Sequence, residues 1–549
     1  MKGGFRQCMA WLHTWTGLVV GWVLFLVFLT GSTGYYAFEI DRWMRPELPL
    51  VSAVKQMRPT QGLGAAQDYL QAHAAGAQSW VIQLPGERSQ PQLEVFWREP
   101  AKMPGQAGRF ERAMLDPGTG KAVNQDEVRA TGGGHLLYRM HYLLHYVPAD
   151  AGIYIVGMCT MPMFLAIVTG IITHKKILSD FFTFRASKGQ RSWMDAHNII
   201  SVTSLPFFLM ITYSGLVFFM SSYYMPAGIA AAYGTTPEAR QRYFDEQSSA
   251  DRSGPTGRPA ALIALGDVLG WAEKTWGAGN VGSIEVRHPG DECAVVSARP
   301  RTEGANALNR PSLRFNGITG NPLPERLSDD AASTIERTLL ALHEGRFAGP
   351  LLRWLYFLAG LLGCAMIATG LVLWTAKRKV KQDKRLKAGQ SVEFGFRLVD
   401  CLNIATVAGV CTAVAVYFWA NRLIPVDFAE RRAWEAHALF IAWGLLLAHA
   451  AIRPPRKAWV EQLGLAALAF GLLPLVNALT THRHLGVTLL AGDWVLAGFD
   501  LTMLALGLVF AYAARKISRG RNVALKPQAS GAAALATEVV AQSVPDVAP

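Results

Sequence analysis

The sequence is poor in cysteine and in charge, and it lacks the usual signatures of a self-contained soluble enzyme. Its 549 residues hold six cysteines, with no CxxC and no CxxCH. A thiol redox pair and covalently attached haem therefore have no signature here. Cys159, Cys364 and Cys411 fall within apolar runs, Cys401 lies near the end of one, and Cys8 precedes the first; only Cys293 reads as clearly external, so no disulfide framework is available. No GxGxxG stands in a strand–turn–helix context and no P-loop lysine motif occurs. HEGRF (343–347) lacks the second histidine of HExxH. No stretch on the side read as cytoplasmic is long enough for a flavin or nicotinamide domain, the longest being the basic segment 376–398. Charged residues make up 17% of the chain against 51% hydrophobic, with mean hydropathy +0.19. That balance is too apolar for an ordinary soluble enzyme and too charged for a bare bundle of spans. It fits membrane helices joined to extramembrane domains.

What is present in abundance is long apolar runs. A helix needs about 20 apolar residues to cross roughly 30 Å of hydrocarbon. Runs near 16–38, 152–173, 198–220, 351–375, 399–419, 436–452, 459–479 and 494–513 qualify as eight candidate spans, the sixth being short. The formal net charge of +13 would suit a nucleic-acid partner, but its distribution excludes that reading. The basic clusters Lys175–Lys176, Lys377–Lys381, Arg453–Lys457 and Arg515–Lys516, with Lys2 and Arg6, adjoin span ends and fall on one side if the spans alternate. This is the positive-inside pattern of an inner membrane, and it predicts cytoplasmic termini. Two large loops, 39–150 and 221–349, then lie in the periplasm. Glu39 and Asp41 follow the first span without a small-residue cleavage site, so it reads as an uncleaved anchor. The Ala-rich tail after 520, within the cytoplasmic segment 515–549, reads as disordered.

The chain repeats itself. His13 precedes Gly31, of the pair Thr30-Gly31, by 18 residues; His197 precedes Gly215, of Ser214-Gly215, by the same 18. Eighteen residues make five helical turns, about 27 Å, so each imidazole and its glycine are expected to share one face at opposite membrane edges. LDPGTGKAV (115–123) and IVTGII (167–172) recur 200 residues later as FNGITGNPL (315–323) and IATGLV (367–372). Each loop also carries a helical segment followed by alternating strands, SWVIQL and QLEVFW in one and GSIEVRH and CAVVSAR in the other. The expectation is a small helix-plus-sheet domain in each loop and two parallel copies of span–domain–span over 1–376. A four-helix extension follows over 399–514.

YRMHYLLH, THKKILSDFFTFRASKGQRSWMDAHN, LRFNGITGNPL and LHEGRFAGP together make the sequence resemble the PepSY-associated membrane proteins. The resemblance implies a polytopic α-helical membrane protein of about eight transmembrane helices with two periplasmic α+β PepSY-like domains in a parallel repeat. Some members of that family are inner-membrane reductases of iron–siderophore complexes that carry b-type haem between their spans. The function implied is a b-haem oxidoreductase passing electrons to a periplasmic ferric siderophore or other iron chelate. With no flavin or nicotinamide site in this chain, a separate flavoprotein or membrane quinol supplies the electrons. Two other readings stay open: a siderophore or peptide transporter component, and a periplasmic regulator of the kind proposed for PepSY domains.

Of thirteen histidines, six stand at membrane edges within the repeat. His13, His174 and His197 lie on the side read as cytoplasmic; His141, His145 and His343 lie on the other. Ionisable groups there are costly and tend to be functional, and neutral imidazole is a standard axial ligand of haem iron. The repeat pairs His13 or His174 with His197, and His141 or His145 with His343, giving two haems, one near each surface. His141 and His145 are four apart, as on one helix face. By the 200-residue offset His174 answers to Trp374. His437 and His449 read as packed or hydrogen-bonded residues, His482 and His484 resemble a metal pair only superficially, and His73 and His288 carry no role. Gly31, Gly170, Gly215 and Gly370 each follow Thr or Ser, and read first as close helix packing. Trp11, Trp15, Trp43, Trp354 and Trp374 read as interfacial belts, with Trp374 also placed to meet a macrocycle.

Overall fold

In the computed structural model, which describes residues 4–48, 59–86, 93–100, 108–116, 119–123, 128–174, 181, 183–185, 189–236, 238–239, 242, 254–301, 312–324 and 331–519, the apolar runs are helices. Lys2, Lys175, Lys176 and the tail after 520 lie outside these residues. Among the described residues, seven helices are long and apolar enough to cross a membrane: α1 (Phe5–Gly34), α5 (Ala149–Thr173), α11 (Pro350–Lys387), α12 (Phe394–Leu423), α13 (Arg431–Ile452), α14 (Pro455–Thr480) and α16 (Trp494–Arg519). The eighth is broken: α6 (Gln190–Thr203) and α7 (Leu205–Phe218) meet at 68°. Pro206, the second residue of α7, has no N–H to give and its ring blocks a continuous helix. The straight five-turn path from His13 to Gly31 therefore holds in α1 but fails between His197 and Gly215. The basic cluster at Lys377–Lys381 is also helical, since α11 runs unbroken to Lys387.

α1 packs against α5 and α11, α11 against α6, and α5 against α7, which makes a four-span core. Leu24, Phe25, Met163, Phe208, Ile367 and Leu371 fill it. The extension packs on this core through α12, whose apolar window is 83% buried where the other spans reach 28–39%. Asn403 stitches the seam: its Oδ1 accepts from Trp22 Nε1 at 2.9 Å and its Nδ2 donates to the Leu371 carbonyl at 3.1 Å.

The strands of both loops enter one seven-stranded sheet, ordered β3-β2-β1-β4-β5-β6-β7. Its members are β1 (Ser79–Gln83), β2 (Leu93–Arg98), β3 (Phe110–Leu115), β4 (Val281–Arg287), β5 (Val295–Pro300), β6 (Leu313–Asn316) and β7 (Pro322–Leu323). The loops meet where β1 pairs antiparallel with β4, Ile82 facing Ile284. Pairing removes the exposed edge that each half-sheet would otherwise present. Helices α3 (Pro59–His73) and α9 (Leu265–Trp276) cover one face, burying Leu63, Leu70, Ile82, Val95, Leu269 and Ile284. Both hairpins close alike. Asp116 and Asn316 accept the backbone N–H three residues on, from Thr119 at 2.8 Å and Thr319 at 2.9 Å. Gly120 (φ 69°) and Gly320 (φ 74°) then take the left-handed turn position that side chains resist.

Candidate functional site: two histidine pairs

Four imidazoles meet in two pairs, one at each end of the core. His13, in α1, faces His197, in α6, with ring centroids 6.3 Å apart. His141, in α4 (Gly133–Tyr142), faces His343, in α10 (Ala331–Glu344), at 6.0 Å. Gly31, which touches His141, lies 18 residues beyond His13 on α1, so the pairs are separated by about 27 Å of helix.

One local device holds all four rings. The hydroxyl of Thr169 donates to the Ala166 carbonyl, and that carbonyl also receives His13 Nδ1 at 2.8 Å. Two hundred residues on, Thr369 donates to the Met366 carbonyl, which receives His197 Nδ1 at 2.9 Å. Thr30 donates to the Val27 carbonyl, which receives His141 Nδ1 at 2.7 Å. Ser214 donates to the Ile211 carbonyl, the backbone acceptor of His343, and its own hydroxyl lies 3.0 Å from His343 Nδ1. The glycine after each hydroxyl makes room for the ring. A Cβ on Gly31, Gly170, Gly215 or Gly370 would stand 2.5, 3.2, 2.9 or 3.2 Å from the imidazole of His141, His13, His343 or His197. The Thr/Ser-Gly pairs thus cradle imidazoles; helix-to-helix packing is not what their glycines serve.

The chemistry follows from the acceptors. A carbonyl can only accept, so each Nδ1 carries the proton and each Nε2 keeps a lone pair. No hydrogen bond engages those Nε2 atoms among the described residues. A backbone carbonyl that accepts from the other ring nitrogen, fixing tautomer and ring plane, is the usual support of a metal-bound histidine. At the sheet-side pair, burial holds both imidazoles below the ordinary pKa. His141 adds charge repulsion on His343, whose value falls to about 3. Both rings are neutral at pH 7 and able to ligate.

The sheet-side pair opens on a cavity of about 1110 Å³ that Phe28, Tyr35, Met163, Phe207 and Phe218 line within the core. Drug-sized ligand pockets span about 300–1,000 Å³, so a macrocycle has room. Near the other pair in sequence, Trp15 lies two residues after His13 and Trp374 four after Gly370; their rings meet edge-on at 6.5 Å, with the Arg378 guanidinium 3.8 Å above Trp374. Trp374 Nε1 is buried with no hydrogen-bond partner among the described residues.

The remaining candidates are placed differently. His174 caps α5 at the end near His13 and His197 and acts electrostatically on both, without joining the facing pair. His145 does not share a helix face with His141. α4 ends at Tyr142, and Leu144 and Tyr146 take positive φ of 59° and 61°. His145 instead stacks on Phe440, 5.4 Å away, beside Tyr146, whose hydroxyl contacts His437 Nδ1. His449 contacts Glu461 at 2.9 Å, and His73 stacks on Tyr69. No cluster of three or more His, Cys, Asp and Glu suited to a metal ion occurs among the described residues. A bare ion would find two protein donors at each pair; a porphyrin brings its own four. Arg378 was read only as part of a basic cluster and not as a partner of Trp374, and the four carbonyl acceptors went unread, although the Thr/Ser-Gly pairs were the carbonyls' visible signal.

A family profile described as the PepSY-associated TM region matches residues 10–377. The chain belongs to that family. An uncharacterised protein of Pseudomonas aeruginosa is 24% identical over 389 residues, which cover 69% of this chain and 93% of that protein. The matched family region ends before α12, so the extension lies outside it.

Proposed function

From membership in the PepSY-associated TM family, we propose that this multi-pass protein is an inner-membrane oxidoreductase. It binds two b-type haems, one in each histidine pair, and delivers electrons to an iron chelate, a ferric siderophore in the first instance. The positive-inside pattern supports a cytoplasmic basic end of α11 and a periplasmic sheet. A separate flavoprotein or quinol is the donor.

The observation that carries this reading is the pair geometry. Imidazoles bound on opposite sides of one iron, with metal–nitrogen bonds of about 2 Å, have centroids roughly 6.3 Å apart. The two pairs stand at 6.3 and 6.0 Å with Nε2 unengaged. Bound haem supplies a one-electron couple whose potential follows axial ligand, hydrogen bonding and burial. The chain's residues do the rest. The Ala166, Val27, Ile211 and Met366 carbonyls orient the ligands, and the glycines admit the rings. Trp374 Nε1 is a donor suited to a propionate, and Phe28, Met163 and Phe207 keep water away. At the acceptor, reduction of Fe(III) to Fe(II) weakens binding by hard oxygen donors, which favour the harder ion.

The test is optical. Purified protein should show a Soret band, dithionite-reduced b-type peaks and about two haems per chain. His197→Ala should remove one haem and His343→Ala the other, as read by pyridine haemochrome. Folded, monodisperse protein without colour refutes the proposal.

A further inference from the structure

The cavity that starts at His141 and His343 widens toward the sheet into a charged mouth. Three of its arginines already have acidic partners. Arg45 pairs with Asp41, Arg129 with Glu47 at 2.7 Å, and Arg346 with Glu344 at 2.7 Å. Two do not. Arg112 and Arg432 line the same cavity, are exposed, and make no hydrogen bond or ion pair among the described residues; Arg112 acts on Asp41, already paired with Arg45, only through its field.

They arrive from different parts of the fold. Alternation along β3 buries Ala113 and Leu115 toward α3 and α9, which turns Arg112 and Met114 to the opposite face, above the cavity. Glu94 lies on that face diagonally across from Arg112 and forms no ion pair with it. Arg432 is the second residue of α13, in the extension. Its neighbour Arg431 is locked by Glu435, which also accepts from Thr131 Oγ1 at 2.6 Å and from the Gly132 N–H at 3.1 Å. That lock sits at the start of α4. His141 lies eight residues beyond Gly133, about 12 Å of helix away, so Arg432 belongs to the mouth and not to the histidine pair. His135, in the first turn of α4, faces the same opening, as does Asp41.

We infer that Arg112 and Arg432 form a carboxylate-gripping mouth that selects anionic, carboxylate-bearing iron chelates, and that the four-span extension serves this selection by supplying Arg432. The inference rests on the iron-chelate reading of the site. Unpaired guanidiniums on two walls of one opening match carboxylate geometry bidentately and raise the local concentration of anions.

Equilibrium dialysis of the full-length protein in detergent tests this without electron transfer, with radiolabelled ferric citrate and a neutral ferric trihydroxamate as probes. Wild type should favour ferric citrate, and high salt should shrink that preference. Arg112→Ala and Arg432→Ala should each cut the ratio of the two affinities about tenfold, the loss of one charge-assisted contact. Arg432→Lys should retain part of it. Equal affinities in wild type, or an unchanged ratio in both alanine variants, overturn the inference. So does loss of haem from those variants, which would assign the arginines to propionates. Colourless wild-type protein that still discriminates by charge would sink the haem proposal and leave this one standing.

Discussion

A single carbon atom separates the four glycine cradles into two classes. At Gly31 a Cβ would lie 2.5 Å from His141 Nδ1 and at Gly215 2.9 Å from His343 Cε1; both are closer than atoms tolerate. At Gly170 and Gly370 the nearest ring atom is 3.2 Å away and needs to yield only a few tenths of an ångström. Gly31→Ala is therefore expected to displace His141 and, on the two-haem proposal, to halve the haem content. Gly170→Ala should keep both haems with a shifted spectrum, and haem-to-protein ratios read the difference. The sequence displayed the Thr/Ser-Gly pairs plainly but not their partners. His13 and Gly31 share a helix, yet Gly31 receives His141 while His13 leans on Gly170. Which ring meets which glycine depends on how α1, α4 and α5 pack, and residue spacing along one helix carries no trace of that.

At the scale of elements, strands from the two loops are joined. The β1–β4 seam buries Ile82 and Ile284 fully, so the loops 39–150 and 221–349 share one sheet and one apolar core. Truncating a buried isoleucine costs about 2–5 kcal/mol in lost burial and cavity formation. Ile284→Ala should accordingly loosen both loops. Limited proteolysis should show new cleavage in 39–150 as well as in 221–349; damage confined to the second loop would mean that the halves are energetically independent. Alternating strands and turn glycines made each half-sheet readable. Their union was not, because an edge strand's pattern is the same whether its partner is solvent or its own repeat. The bend at Ser204 was missed for a related reason. Pro206 marked a possible break, but the surrounding run is apolar enough to be read as one span.

The molecule as a whole is a four-span core clamped by a four-span extension, and the clamp is polar. Trp43 Nε1 donates to Asp500 at 2.9 Å, Arg422 stacks 3.6 Å above Trp43, and Arg42 pairs with Asp493 at 2.5 Å. Glu435 and Arg431 form an ion pair with both side chains almost wholly buried, at 0% and 1% exposure. Removing one partner of such a pair leaves an uncompensated charge, at a cost of about 3–5 kcal/mol. Glu435→Ala should lower the melting temperature in detergent clearly, and more than Glu435→Gln, which keeps acceptors for Thr131 and Gly132. Because the lock sits at the start of α4, Glu435→Ala should also, on the two-haem proposal, broaden the spectrum arising from the His141–His343 pair and spare that from His13 and His197.

Apolar length, charge asymmetry and the 200-residue echo determined, from sequence alone, a polytopic helical protein with histidines at both membrane edges, because hydrophobic thickness and helical rise act locally along the chain. Tertiary structure alone decided that His13 and not His174 faces His197, that His141 faces His343 while His145 turns away, and that both loops make one sheet. It also decided that the extension reaches the cavity mouth. Each of these depends on contacts between residues hundreds of positions apart, where the free energy belongs to the packed surface and not to any segment that contributes to it.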